Sequence, residues 1–156
     1  MGRVASEIYF RLNQNLNSFS SNLPLIVLEN YGSGRPSQND YQTASMAVIE
    51  PTNGRTRLKN VFSKASQVGI KIRGSSTAGR SKASLSLEAQ DEFGRDKNIS
   101  LLGMPGESDW VLWGPYNFDL SLMHNPFIFE LSRQIGRYAS RTRFVELYLN
   151  TGGGTL

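Results

Sequence analysis

Apolar and polar positions alternate in two stretches of this chain, and those stretches frame its most unusual loop. Val68, Ile70 and Ile72 line one face of a run whose other face carries Lys71 and Arg73. Leu85, Leu87 and Ala89 repeat the pattern against Ser84, Ser86 and Glu88. A period of two belongs to a half-buried strand, so both runs are predicted as strands. Leu23–Glu29 (LPLIVLE) is instead continuously apolar, which predicts a strand buried on both faces. Ala44–Glu50 and Arg57–Phe62 are read as two further strands joined across Pro51–Arg55, where Asn53-Gly54 favours a tight hairpin turn. Tyr31–Tyr41, with Gly32, Gly34 and Pro36, reads as loop, and Asp91–Arg95 as a turn. Trp110–Trp113 is a short aromatic element, and Arg143–Asn150 alternates as a last strand.

The period changes to that of a helix only at about 125–137. Asn125 is a favourable cap and Pro126 suits the first helical position. Phe127, Ile128, Leu131 and Ile135 form one apolar stripe, with Glu130, Arg133, Gln134 and Arg137 facing away and Gly136 near the end. The predicted class is therefore α+β, a mostly antiparallel sheet with one main helix. Residues 1–22 are polar and rich in Asn and Ser, and read as a linker or the end of an upstream region.

Composition narrows the chemistry. The 156 residues hold 38% hydrophobic residues, which suits one folded domain, and no apolar run approaches a membrane span. There is no cysteine and a single histidine, His124, so neither a disulfide framework nor a Cys/His metal site is expected. A Ser–His–Asp arrangement through His124 and Asp119 lacks any specified serine; a structural hydrogen bond at the helix entrance is the commoner role for such a histidine. The net charge is +4 but unevenly spread. Pro51 to Leu87 contains no Asp or Glu, yet holds Arg55, Arg57, Lys59, Lys64, Lys71, Arg73, Arg80 and Lys82. A stretch of one sign attracts anions. A solvated strand face that discourages edge pairing accounts for the same charges. Phe62 is the sole aromatic there, which argues against nucleic acid, where stacking platforms interleave with cations.

Within that stretch lies the loop Arg73-Gly74-Ser75-Ser76-Thr77-Ala78-Gly79-Arg80-Ser81-Lys82. Gly74 and Gly79 permit backbone turns closed to other residues, and successive main-chain N–H groups in such a turn make a concavity for anions. Arg73 can grip phosphate oxygens in pairs, and Lys82 adds a mobile point charge. No Gly-Lys-Ser/Thr leads into a helix and no Gly-x-Gly-x-x-Gly occurs, so neither common nucleotide motif is present. An ordinary flexible hairpin loop is the plainer account.

Arg73-Gly74-Ser75-Ser76, followed by Lys82 and Ser84, resembles the "RGNSS…PKKS" signature of the spore-coat CotH kinase-like family. Leu102-Gly103-Met104-Pro105, Asp109-Trp110-Val111-Leu112, Asp119–Asn125, Arg137-Tyr138-Ala139 and Phe144–Asn150 follow in that family's order. Ser75, Ser81 and Ala83 stand where relatives commonly have Asn, Pro and a second Lys, and His124 replaces a usual arginine. The resemblance implies the strand-rich N-terminal part of an atypical protein-kinase-like fold over residues 23–156, cut short at its C-terminus. It also implies ATP and Mg2+ as cofactors, a protein substrate, and a location in a spore coat, at a cell surface or outside the cell. Arg73, Gly74, Ser75, Ser76 and Lys82 would then lie near the nucleotide phosphates, with Glu130 as a partner for Lys82. Catalytic and metal-holding acids are expected in a continuous C-terminal half, leaving this chain inactive alone. Relatives also occur within large surface proteins, so the alternative is a non-catalytic binding or adhesion module.

Overall fold

The computed structural model describes residues 11, 13–115 and 119–154. Its strands are β1 (Leu25–Glu29), β2 (Gln42–Ile49), β3 (Lys64–Arg73), β4 (Ser84–Gln90), β5 (Asp109–Leu112) and β6 (Glu146–Asn150). One α-helix, α1 (His124–Gln134), lies between β5 and β6. The strands form a single sheet in the order β5-β4-β3-β2-β1-β6. Every neighbouring pair is antiparallel except β1 with β6, which run parallel. The fold is α+β. The segment carrying α1 leads from one edge of the sheet to the other, the kind of long connection that a parallel pair requires.

Strand alternation decides which side chains are buried. Ile26 and Leu28 of β1 join Met46, Val48, Val68, Ile70, Leu85 and Leu87 in the larger core. Loop residues roof that face: Ala78 from the β3–β4 connection, and Ile99 and Leu101 from the β4–β5 connection. Leu25 and Val27 point the other way into a smaller core with Ile49 and Leu58. Leu25 to Leu28 are each 3% exposed or less, so β1 is buried on both faces, as its continuous apolar run predicts. The smaller core is covered by Leu16, Phe19, Phe62 and Tyr148, with the Phe19 and Tyr148 rings edge to face at 5.2 Å. Residues 13–22, from the segment read as a linker, thus lie against the sheet. Ser21 also bridges to Thr56, and the Arg55 guanidinium donates to the Ser20 hydroxyl and carbonyl at 2.9 and 2.8 Å.

Two expectations are corrected. Arg57–Phe62 is not a strand. The Asn53-Gly54 turn does form, with Thr52 and Arg55 exchanging two backbone hydrogen bonds. However, Val48 of β2 pairs with Lys64, so the antiparallel partner begins only there. Residues 50–63 leave the sheet as an excursion, in which Thr56 binds Ser21 and Leu58 drops into the smaller core. The local turn signal was sound; the strand it served came from the distant leader.

The helix also differs from its expected bounds and setting. It begins at His124, and its cap residue Met123 makes no side-chain capping bond. Asn125 and Pro126 fall within the first turn, where the backbone N–H groups have no partner inside the helix and a proline costs little. The end matches the glycine signal: the Gly136 N–H reaches the Arg133 carbonyl and the Arg137 N–H reaches that of Ser132, closing a Schellman motif. The apolar stripe does not enter either core. Phe127, Ile128, Leu131 and Ile135 are 42–70% exposed, and α1 packs against none of the six strands.

This contrast predicts unequal mutational costs in urea denaturation. Leu28→Ala should lose about 3 kcal/mol, as large-to-small changes in a closed core do. Ile135→Ser should stay within about 0.5 kcal/mol. A comparable loss at both positions would mean that the helix stripe is buried.

Candidate anion-binding site

Strand directions gather the turns of this protein at two ends. Pairing of Leu25 with Ile49, Val48 with Lys64 and Arg73 with Ser84 places the C-terminal ends of β1 and β3 beside the starts of β2 and β4. Parallel pairing brings the end of β6 to the same side. The Tyr31–Tyr41 loop, the β3–β4 loop and the turn at Gly152–Gly154 therefore share one end, and residues 50–63 occupy the other. The ten residues of β3 span about 30 Å. The cationic stretch is accordingly not one patch. Arg57, Lys59 and Lys64 lie at the far end with Arg55, while Arg73, Arg80 and Lys82 lie at the glycine-rich end.

The β3–β4 loop has a defined path. Gly74 adopts φ +104°, and a Cβ there would lie 2.4 Å from the Thr77 hydroxyl oxygen, so only glycine fits. Ala78 turns inward to the core, and the Arg80 N–H donates to the Thr77 carbonyl at 3.1 Å. Ser75, Ser76 and Lys82 are exposed. The backbone and side-chain stem of Lys82 lie against Gly114, where a Cβ would come within 2.9 Å of the Lys82 carbonyl oxygen. The Gly114 N–H in turn donates to the Ser84 hydroxyl at 3.0 Å. Arg35 and Gln38, from the Tyr31–Tyr41 loop, bond to carbonyls of this loop. Nothing in their spacing singled them out in the sequence.

Gly74, Ser75, Ser76 and Lys82 are thus carried by one loop. Arg73 is set apart. Because Ile70 and Ile72 are buried, alternation turns Arg73 with Lys71 to the opposite face of the sheet. There Lys71 Nζ sits 4.4 Å above the Tyr41 ring. Burial, aided by the nearby Glu88 and Asp109 carboxylates, raises the Tyr41 pKa; a Ser86 hydrogen bond and the Arg73 charge oppose that rise. Carboxylates distant from Arg73 in sequence therefore share its surroundings. Glu130 is engaged by Arg133 and by Gln134 on its own helix, bonds that hold its pKa below the ordinary value. The pairing of Glu130 with Lys82 is not made. Among the described residues Arg73, Arg80 and Lys82 form no ion pair.

Asp119 is the buried carboxylate of this region, 2% exposed at the mouth of α1. It accepts hydrogen bonds from the Ser121 hydroxyl at 2.6 Å and from the His124 N–H at 2.9 Å, and so caps the helix from five residues upstream. The His124 ring nitrogen Nδ1 lies 3.4 Å away. Burial alone would push the Asp119 pKa up; the Ser121 and His124 hydrogen bonds and the His124 charge outweigh it and hold the pKa low. Ser121 bonds to Asp119 rather than to His124, so no nucleophile–base pair exists and the histidine reads as structural. Among the described residues no group of three or more His, Asp or Glu is gathered as a metal site. No helix among them is long and apolar enough to cross a membrane.

Compared with known protein families, residues 70–152 match the one described as CotH kinase protein, more than half of the chain. No curated protein and no solved structure matches.

The Asp119 cap predicts an acid-dependent difference. A carboxyl whose folded pKa lies below the unfolded value of about 3.9 stabilises above that value, and loses this as pH falls through the folded pKa. Asp119→Ala should therefore lower the melting temperature by several degrees at pH 7, and the gap from wild type should close towards pH 2. A gap independent of pH would assign the role to packing rather than to the charged cap.

Proposed function

The chain belongs to the CotH kinase family, and on that premise we propose that it forms the ATP-binding portion of a phosphotransferase acting on protein hydroxyls. The observation that carries this reading is the β3–β4 loop. Among the described residues the amides of Ser75, Ser76 and Thr77 donate no hydrogen bond, and Lys82 has no carboxylate partner. Unused N–H groups beside an unpaired ammonium suit the oxygens of a polyphosphate. Lys82 would supply a point charge, Ser75 and Ser76 their amides and hydroxyls, and Gly74 the turn that brings the backbone close. Arg73 would reach the phosphates only from the rim, since its strand directs it to the other face.

A divalent ion bound with the nucleotide neutralises phosphate charge during transfer. The described residues do not fit a magnesium site of their own, because no carboxylate set is gathered near the loop. No residue of this chain is assigned to the metal or to activation of the acceptor hydroxyl. The uncovered apolar face of α1 favours a second reading, a non-catalytic binding or adhesion module of a larger surface protein.

Calorimetric titration with MgATP tests the first reading. The protein should bind, and Lys82→Ala should weaken the affinity about tenfold, the scale of one lost charge-assisted hydrogen bond. Gly74→Ala should weaken it by at least as much, because its φ is strained for any residue with a side chain. Unchanged affinity in Lys82→Ala would remove that residue from the site. No binding by wild type at millimolar MgATP would favour the second reading.

A further inference from the structure

The loop owes its shape to a residue outside the family-like motif. Arg35 reaches from the β1–β2 connection across the end of β3, and its Nη2 donates to both the Ala78 and the Arg80 carbonyls at 2.9 Å. Beside it Gln38 Nε2 donates to the Gly74 carbonyl at 2.9 Å. Between them the Ser37 carbonyl accepts the Ile72 N–H at 2.7 Å.

Arg35 is itself firmly rooted. The preceding Gly34 donates its N–H to the Thr151 carbonyl at 3.0 Å and accepts from Asn30 Nδ2 at 2.7 Å, and the following Pro36 is buried. Asn30 is fully buried and bonded through its own N–H to Asn150. The guanidinium thus stands on the paired ends of β1 and β6.

In a planar trans peptide the C=O and the next N–H point in opposite directions. Drawing the Gly74, Ala78 and Arg80 carbonyls towards Gln38 and Arg35 therefore turns the N–H groups of Ser75, Gly79 and Ser81 away from them. Among the described residues none of those three amides donates a hydrogen bond. We infer that Arg35, assisted by Gln38, is a positioning residue that presets these three amides to receive phosphate oxygens. This rests on the phosphotransferase reading above and adds to it a residue from another connection. Arg35 spends its donors on carbonyls, so it contributes through the loop rather than by touching nucleotide.

The test combines loop order with affinity in the same 156-residue protein. Backbone 15N relaxation at Ser75, Gly79 and Ser81, measured without nucleotide, should show increased mobility in Arg35→Ala. MgATP affinity should fall about tenfold, the scale of one or two lost hydrogen bonds, while the melting temperature stays within a few degrees. Arg35→Lys, which retains donors able to reach one carbonyl, should recover part of both. Gln38→Ala, an exposed side-chain deletion, should give a smaller loosening of the same loop, and it serves if Arg35→Ala fails to fold. An unchanged loop, or unchanged affinity in a loosened loop, would overturn the inference while leaving the nucleotide reading intact. Failure of wild type to bind MgATP would overturn both.

Discussion

Burial of alternate residues along β3 and β4 is the constraint on which the arrangement depends. Val68, Ile70 and Ile72 pair across the ladder with Ala89, Leu87 and Leu85, and all six enter the larger core. Burying one such aliphatic side chain stabilises by roughly 1.5–3 kcal/mol. A slip of one residue would expose the whole set, so register is not negotiable. With register set, Arg73 must pair with Ser84, the loop must begin at Gly74, and Lys71 and Arg73 must face away from the core. The polar chemistry of this end is a by-product of apolar packing on the other face.

The same constraint separates functions along the sheet. An antiparallel ladder sends alternate connections to opposite ends, and that divides a cationic stretch that is continuous in sequence. At one end Arg55 helps to fasten the leader over the smaller core. At the other, Arg80 and Lys82 remain unpaired beside backbone amides with no internal partner. Free cations and free amides are costly only when buried; at an exposed rim they stay solvated until an anion displaces the water. The rim needs no bound ligand to be stable, but it needs its carbonyls held, which the Tyr31–Tyr41 loop accomplishes.

The helix follows a different logic. Eleven residues form a marginal helix unless packing supports them, and α1 packs on no strand. Local devices sustain it instead: the Asp119 cap, the Glu130 pairing with Arg133 and Gln134, and the Gly136 closure. Its apolar stripe is a contiguous exposed surface rather than a scatter of single residues, which is the form an interaction face takes. Glu130, bound on its own helix, and Lys82, lying against Gly114, are each held in place by near neighbours.

Much of this fold was legible in the residues themselves. A period of two located β3 and β4, a continuous apolar run located the doubly buried β1, and a helical stripe ending in glycine located α1. Those patterns are local, and local spacing suffices to reveal them. The loop from Arg73 to Lys82 was equally plain, because its glycines, hydroxyls and cations are contiguous and match a family signature. What remained hidden was relational. Asn53-Gly54 announced a turn but not that Thr56 would pair with Ser21, since pairing depends on which distant strand arrives first. The helical stripe announced an apolar face but not whether anything would cover it. No spacing could reveal that Arg35 would close on carbonyls more than forty positions away, because backbone carbonyls carry no side-chain identity to read. Side-chain type and period determined the elements and the chemistry on offer; only the tertiary structure decided which groups meet, because meeting depends on strand order and direction that no local pattern encodes.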